Sequence, residues 1–412
     1  MAEPDAPKRK RDLPRAERRA LARARREAER MSLFVGSAPG LEPLLAEEAR
    51  ALGLSASGLE PRVVAGGIEL DGDRTTLYRA NLELGLATQV RLRLGRFHAA
   101  HFSELVRRAS ELPWERWLTA GARVRFRSTA QRSRLHHTGA IDERVAEAIA
   151  ARLGGPVIAA DGEEEVALVH ARFERDEVTL SLDTSGAPLH RRGYRLATAK
   201  APLREDLARA LVITSGWDRR SPLVDPMAGS GTIAIEAAML ARGIAPGRAR
   251  RFAFEDAPTH DAALLARLRD EADERAGVGA HAGRRSADPS PRILARDRDE
   301  GAVIAARANA ERAGVELEHG VAALSEPFGI DTDEGALVTN PPWGVRVARD
   351  RDLRPLYDRL GAVIEALPPR WEVGVVAADA ELVRRAHMPL RSALLTDAGG
   401  TKVRFYRRTR EE

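Results

Sequence analysis

The 412-residue chain contains no cysteine, which excludes disulfides, thiolate metal sites and a cysteine nucleophile. Its ten histidines are scattered, so no metal is expected. Lysine is nearly missing too: Lys8, Lys10, Lys200 and Lys402 are the only four among 66 basic residues. Arginine suits bidentate phosphate contact, but a skew of this kind more often marks a GC-rich genome. No apolar run approaches the length of a membrane span, and the first residues lack the apolar segment of a signal peptide. The expectation is a cytoplasmic protein without a membrane partner.

What the chain does have is 43% hydrophobic residues over a length sufficient for two or three domains. Its formal charge of +5 is concentrated at one end. Residues 1–31 hold eleven basic and six acidic side chains and almost no large apolar ones, so the remainder balances to zero. This segment reads as a disordered basic tail that either adds salt-sensitive affinity for nucleic acid or merely solubilises.

From Ser32 short strands and helices alternate without βαβ regularity, which indicates an α+β region. A first module runs over 32–95 and a second over 96–188. Within the second, Arg123-Val124-Arg125-Phe126-Arg127 alternates, placing its arginines on one face of a strand, and Gln131 to His137 extends the basic run into a loop. Arg125, Arg127, Arg132 and Arg134 are candidate RNA-phosphate contacts; an ordinary exposed sheet face reads equally well. His190 to Arg195 forms a basic junction in which Arg191 and Arg192 are further candidates. Residues 189–412 then alternate strand and helix, the pattern of a doubly wound α/β domain.

That domain is organised around Leu223-Val224-Asp225-Pro226-Met227-Ala228-Gly229-Ser230-Gly231-Thr232 and the apolar-periodic run that follows. A buried strand passes through a glycine turn into a helix. The glycines allow close backbone approach, and the first helical N–H groups attract an anionic group. With the Asp225 carboxylate opposite, such a site suits a zwitterionic amino-acid head such as that of S-adenosylmethionine. A loose dinucleotide fingerprint, Gly229-x-Gly231-x-x-Ala234, fits as well, which keeps an oxidoreductase open. In sheets of this kind ligands lie beyond the carboxyl ends of the strands. Asp297 ends the second strand, where a carboxylate can hold ribose hydroxyls. Asn340-Pro341-Pro342-Trp343 follows the strand Leu337-Val338-Thr339. An exocyclic purine amine is a poor nucleophile because its lone pair is delocalised. The Asn340 side-chain oxygen and the Pro341 carbonyl can accept its hydrogens and aim the lone pair. The two prolines fix both acceptors in advance, and Trp343 offers a face for an extruded base.

With these residues in view, the chain resembles bacterial THUMP-domain RNA guanine-N2 methyltransferases, most of all the N-terminal half of the bifunctional large-subunit rRNA enzyme. The resemblance runs from Leu33 to Arg408. It is carried by Ala38-Pro39-Gly40-Leu41-Glu42, Leu189 to Arg195, Ala201 to Glu205, Asp225 to Thr232 and Asn340 to Gly344. It implies a ferredoxin-like module and a THUMP domain that bind RNA, followed by a Rossmann-like class I methyltransferase domain. It also implies cofactor contacts at Asp225, Pro226, Met227, Gly229, Gly231, Thr232, Asp297 and Arg298. The target guanine would meet Asn340, Pro341, Pro342 and Trp343, in 23S rRNA or alternatively in tRNA. The chain departs from the pattern at Ala228, where cysteine is common, and at Ala295, where glycine is usual. It departs again at Gly320, where an aspartate often holds the adenine amine. That last departure keeps a non-catalytic RNA-binding protein open.

Overall fold

The computed structural model describes residues 30–54, 59–160, 162, 166–196, 203–281, 290–343 and 352–409. The expected basic tail lies outside these residues except for Arg30 and Met31, as do Ala201, Pro202 and Gly344.

The first half of the chain builds one eight-stranded sheet. In order its elements are β1 (Met31–Ser37), α1 (Glu42–Ala51), β2 (Arg62–Val64), β3 (Gly67–Gly72), α2 (Arg74–Glu83), β4 (Ala87–His98), α3 (Phe102–Ser110), β5 (Arg123–Gln131), α4 (Thr138–Leu153), β6 (Ile158–Ala159), β7 (Ala167–Glu174) and β8 (Glu177–Asp183). The strand order is β2-β3-β1-β4-β8-β7-β5-β6. β4 pairs antiparallel with β1 on one side and with β8 on the other. This single long strand carries the sheet across residues 95 and 96, so the two expected modules share a continuous backbone ladder. Period-two alternation sets the faces: Leu33, Val35, Val90 and Leu92 enter the core, whereas Phe34, Arg91 and Arg93 point the other way. Asp73 starts α2 by accepting the Thr76 N–H at 3.0 Å, a side-chain N-cap.

The second half comprises α5 (Glu205–Ser215), β9 (Leu223–Asp225), α6 (Thr232–Arg242), α7 (Ala262–Ala276), β10 (Ile293–Asp297), α8 (Glu300–Ala313), β11 (Glu318–Val321), β12 (Glu334–Thr339), α9 (Arg354–Ala366), β13 (Arg370–Ala377), α10 (Ala380–Arg385), β14 (Leu390–Ala398) and β15 (Thr401–Arg408). Its seven strands are ordered β11-β10-β9-β12-β13-β15-β14. β11 to β13 are mutually parallel, while β15 runs antiparallel to β13 and to β14. From β9 the chain winds outward through β10 to β11, then returns to the other side of β9 at β12. The switch point between β9 and β12 is where a doubly wound sheet opens a ligand crevice. β11 and α10 have no counterpart in the sequence reading. Glu318-His319-Gly320-Val321 lacks apolar alternation and becomes a strand only through its parallel register with β10.

The two halves are bound through a charged, largely buried junction. Arg209 on α5 pairs with Glu48 on α1 at 3.0 Å and lies 3.8 Å from Glu236 on α6. Nearby, Tyr78 of α2 stacks on Phe254, with ring centroids 4.2 Å apart, and its hydroxyl accepts the Asp261 N–H at 2.9 Å. Gly40, at φ 85°, lets the turn before α1 approach β14: a Cβ there would stand 2.3 Å from the Leu395 carbonyl oxygen.

Candidate active site

β9 is three residues long and fully buried, and the chain leaves it at Pro226. Gly229 and Gly231 adopt φ values of 54° and 82°, the left-handed region that suits glycine. Gly231 is confined as well as twisted, since a Cβ would meet that of Ala306 on α8 at 2.9 Å. Three bonds lock the turn. The Ala228 N–H donates to the Arg296 carbonyl at 2.8 Å, the Gly231 N–H to the Ala228 carbonyl at 2.8 Å, and the Gly229 N–H to Asp297 Oδ2 at 2.9 Å. Thr232 then begins α6, whose first N–H groups have no partner inside the helix.

Asp225 is buried at the tip of β9. Its Oδ1 accepts the Thr339 hydroxyl at 2.8 Å and the Met227 N–H at 3.2 Å. Its Oδ2 is buried with no donor among the described residues. Burial pushes the carboxyl up to about 7; the Asp297 charge adds to that, and the two donors oppose it. An acceptor placed this way can take a cationic donor.

Thr339 closes β12, and Asn340 follows it. The Asn340 Oδ1 and the Trp343 Nε1 are likewise buried without a partner among the described residues. Pro341 is buried and Pro342 half-buried. The Tyr357 hydroxyl of α9 donates to the Pro342 carbonyl at 3.3 Å, tying the motif to the helix beneath. The structure thus brings Asp225, the glycine turn, Asp297 and Asn340 to neighbouring strand ends. Both Asp297 oxygens brace backbone, Oδ1 taking the Asp299 N–H at 3.0 Å. Each keeps a second lone pair for a further donor. Arg298 is exposed beside it.

Thr339 and Arg296 escaped the sequence reading. Arg296 is buried inside β10 and donates to the Pro327 carbonyl at 2.7 Å, with its guanidinium 5.4 Å from the Phe328 ring centroid. It thereby braces the loop after β11. Gly320 lies beside it, where a Cβ would stand 3.3 Å from the Arg296 Cγ. The available signal was an arginine within an otherwise apolar strand, and a hydroxyl one residue before Asn340.

The expected RNA-contacting arginines are dispersed. Arg127 is exposed on β5, and Arg125 is half-buried and donates to the Gly162 carbonyl at 2.9 Å. Arg132 and Arg134 are exposed in the following loop, and Arg191 in the junction. Arg192 differs from expectation. It is buried, donating to the carbonyls of Leu189 and Gly85 and pairing with Glu236 at 3.4 Å. Its guanidinium holds the two halves together and is closed to a phosphate. No cluster of metal-ligating side chains occurs among the described residues, and no helix among them is long and apolar enough to cross a membrane.

Residues 192–393 match the model of an RMKL-like methyltransferase domain, and residues 32–91 that of the RlmL ferredoxin-like domain. A Listeria monocytogenes structure described as a "predicted N6-adenine-specific DNA methylase" is 30% identical, with a TM-score of 0.79, over 93% of this chain and 97% of that one. The chain belongs to the RMKL-like methyltransferase family. The structure of SMU.472 in complex with SAH superposes at a TM-score of 0.80 and 28% identity, covering 93% of this chain and 99% of that one. The ribosomal RNA large subunit methyltransferase K/L of Syntrophotalea carbinolica is 36% identical over 374 residues, 86% of this chain. The chain spans about half the length of that relative and of the others like it, 51% in this case. The Rossmann-like α/β fold preceded by an α+β, ferredoxin-like region is thus the fold of the family.

Proposed function

We propose that this protein transfers a methyl group from S-adenosylmethionine to the N2 amine of a guanine in 23S ribosomal RNA. The observation that carries this reading is Asn340 Oδ1. It is a buried acceptor without a donor among the described residues, one residue beyond the hydroxyl that fixes Asp225. Buried acceptors left unpaired are costly, and a purine amine together with a cofactor ammonium would satisfy both.

In this reading Asp225 Oδ2 receives the ammonium of the cofactor's amino-acid head. The first N–H groups of α6 receive its carboxylate, and Asp297 receives the ribose. Bound S-adenosylmethionine supplies an electrophilic methyl on a positively charged sulfur. Asn340 Oδ1 and the Pro341 carbonyl accept the two N–H hydrogens of the target amine. That draws its lone pair out of conjugation, and the released proton passes to solvent. Pro341 and Pro342 restrict the backbone so that both acceptors are set before the base arrives. Trp343 supplies the stacking face.

The same acceptor pair would serve the N6 amine of adenine. The family's rRNA-modifying relatives and the arginines of the first sheet favour RNA. Incubating the protein and labelled cofactor with undermethylated 23S rRNA, tRNA and DNA separates these substrates. Label in 23S rRNA, released as N2-methylguanosine on digestion, is the expected result. Label confined to tRNA or DNA, or released as another nucleoside, overturns the assignment.

A further inference from the structure

We propose that Asn309 is a positioning residue for methyl transfer, holding the glycine turn in the shape that receives S-adenosylmethionine; this rests on that turn being the seat of the cofactor. Asn309 lies on the inward face of α8 and is fully buried. Its buried neighbours on that helix are Ala302, Val303, Ala306 and Ala310. An amide among them loses its hydration and favours the helix less than alanine does. A specific partner must offset that cost.

The partner is the turn. Asn309 Nδ2 donates to the Ser230 carbonyl at 3.0 Å, although the two residues are 79 apart in the chain. That carbonyl stands outside the ladder of α6, whose first bond runs from the Ile235 N–H to the Gly231 carbonyl at 2.9 Å. Ser230 is itself buried, so its carbonyl depends on a donor from elsewhere. The same peptide is held at its other end, where the Gly231 N–H donates to the Ala228 carbonyl at 2.8 Å. Glycines on both sides of Ser230 would otherwise let this peptide turn at little cost. Turning it would swing Gly231, the N-cap of α6, and with it the N–H groups of Thr232, Ile233 and Ala234 that open the helix towards the crevice.

Two further contacts show α8 setting the turn. Ala306, one helical turn before Asn309, is the residue that a Cβ on Gly231 would strike at 2.9 Å. Arg312, one turn after it, donates to Asn309 Oδ1 and, through Nε, to the Tyr194 carbonyl at 2.8 Å. A guanidinium only donates, so the amide oxygen must face Arg312 and the amide nitrogen must face Ser230. The Tyr194 hydroxyl donates in turn to Glu236 of α6 at 3.2 Å, which ties the anchor back to the helix that the turn begins. Asp297 also bonds the turn, but it stands at the cofactor's ribose in the proposed site. Asn309 is enclosed behind the turn and meets no ligand, so its loss changes how the cofactor is received and leaves the transfer step alone.

The test is calorimetry of the full chain with S-adenosylmethionine and with S-adenosylhomocysteine, followed by methyl-transfer kinetics on undermethylated 23S rRNA. Asn309→Leu, close in size, and Asn309→Asp, which keeps an oxygen towards Arg312, both remove the donor to Ser230. Each is expected to weaken cofactor binding at least about tenfold. The KM for cofactor should rise with it while kcat at saturating cofactor stays within about twofold, the pattern of lost uniform binding. A merely structural residue would lower the melting temperature and the active fraction, and so kcat, without moving Kd. Arg312→Ala, at an exposed position, removes one anchor of the amide without touching the core and should weaken binding about threefold. Glu311→Gln, exposed on the same helix, should stay within about twofold. Unchanged cofactor affinity in both Asn309 variants, or in Arg312→Ala if neither of them folds, overturns the proposal, as does a loss confined to kcat. A wild type that binds neither form of the cofactor overturns the cofactor reading itself. Wild-type binding with no transfer to any RNA overturns the proposed substrate, and the affinity loss in the variants then still supports the role of Asn309.

Discussion

The Thr339 hydroxyl donates to Asp225 Oδ1 at 2.8 Å across two adjacent parallel strands, so the buried carboxylate at the tip of β9 is fixed by the residue preceding Asn340. One hydrogen bond therefore links the two ends of the proposed site.

Thr339→Val removes that donor while keeping the shape of the side chain. The hydroxyl lowers the Asp225 carboxyl, so its loss raises a group already near about 7. At pH 7 less of it is ionised, and S-adenosylmethionine affinity measured by calorimetry is expected to fall about tenfold, consistent with a charged hydrogen bond of about 1.5–3 kcal/mol. The deficit should shrink by pH 9, where the carboxyl ionises in both proteins.

The raised Asp225 carboxyl also predicts the sign of a stability change. Its folded value of about 7 lies above the ordinary aspartate value of 3.8. The folded state therefore favours the protonated form, and the contribution to stability is full below about pH 4 and lost as pH rises towards 7. Asp225→Asn removes this dependence. In the unliganded protein the unfolding free energy of the variant relative to wild type should rise between pH 4 and pH 8, by about 4 kcal/mol at most, with the melting temperature moving in the same direction. The variant should bind no cofactor at either pH.

In the proposed mechanism Asn340→Ala removes an acceptor that meets only the target amine. Cofactor affinity is expected to remain within twofold while kcat falls by about 10³, the scale seen when one preorganised polar group is lost. Single-turnover kinetics with saturating cofactor checks this, and an unchanged kcat would defeat the assigned role.

Arg191 and Arg192 should behave oppositely although they are neighbours. Arg192→Ala removes the nearer cation from buried Glu236, leaving it Arg209 at 3.8 Å and the Tyr194 hydroxyl, and is expected to cost about 3 kcal/mol in thermal or chemical unfolding. Arg191→Ala, on an exposed residue, should leave the melting temperature within about 1 °C.

These paired arginines show where sequence reasoning stops. The placement of the glycine turn, Asp297 and Asn340-Pro341-Pro342-Trp343 at strand ends was legible because each is a local signal, a strand interrupted by residues with special backbone or hydrogen-bonding character. Arg192 was not legible. A basic run in a junction reads as solvated, and only the approach of Gly85 and Glu236 from distant parts of the chain buries one arginine of the pair. Thr339 was passed over for the same reason, because its partner lies 114 residues away.

The order of residues alone determined the strand–turn–helix unit, the acceptor-bearing tip of β12 and the absence of thiol chemistry. These depend on backbone preference and composition within a few positions. The tertiary structure decided that β4 joins the first strands into one sheet, that Arg192 is enclosed between Gly85 and Glu236, and that Asp225 is buried with its carboxyl raised to about 7. Those outcomes follow from strand pairing and desolvation, which act between residues brought together only when the chain folds.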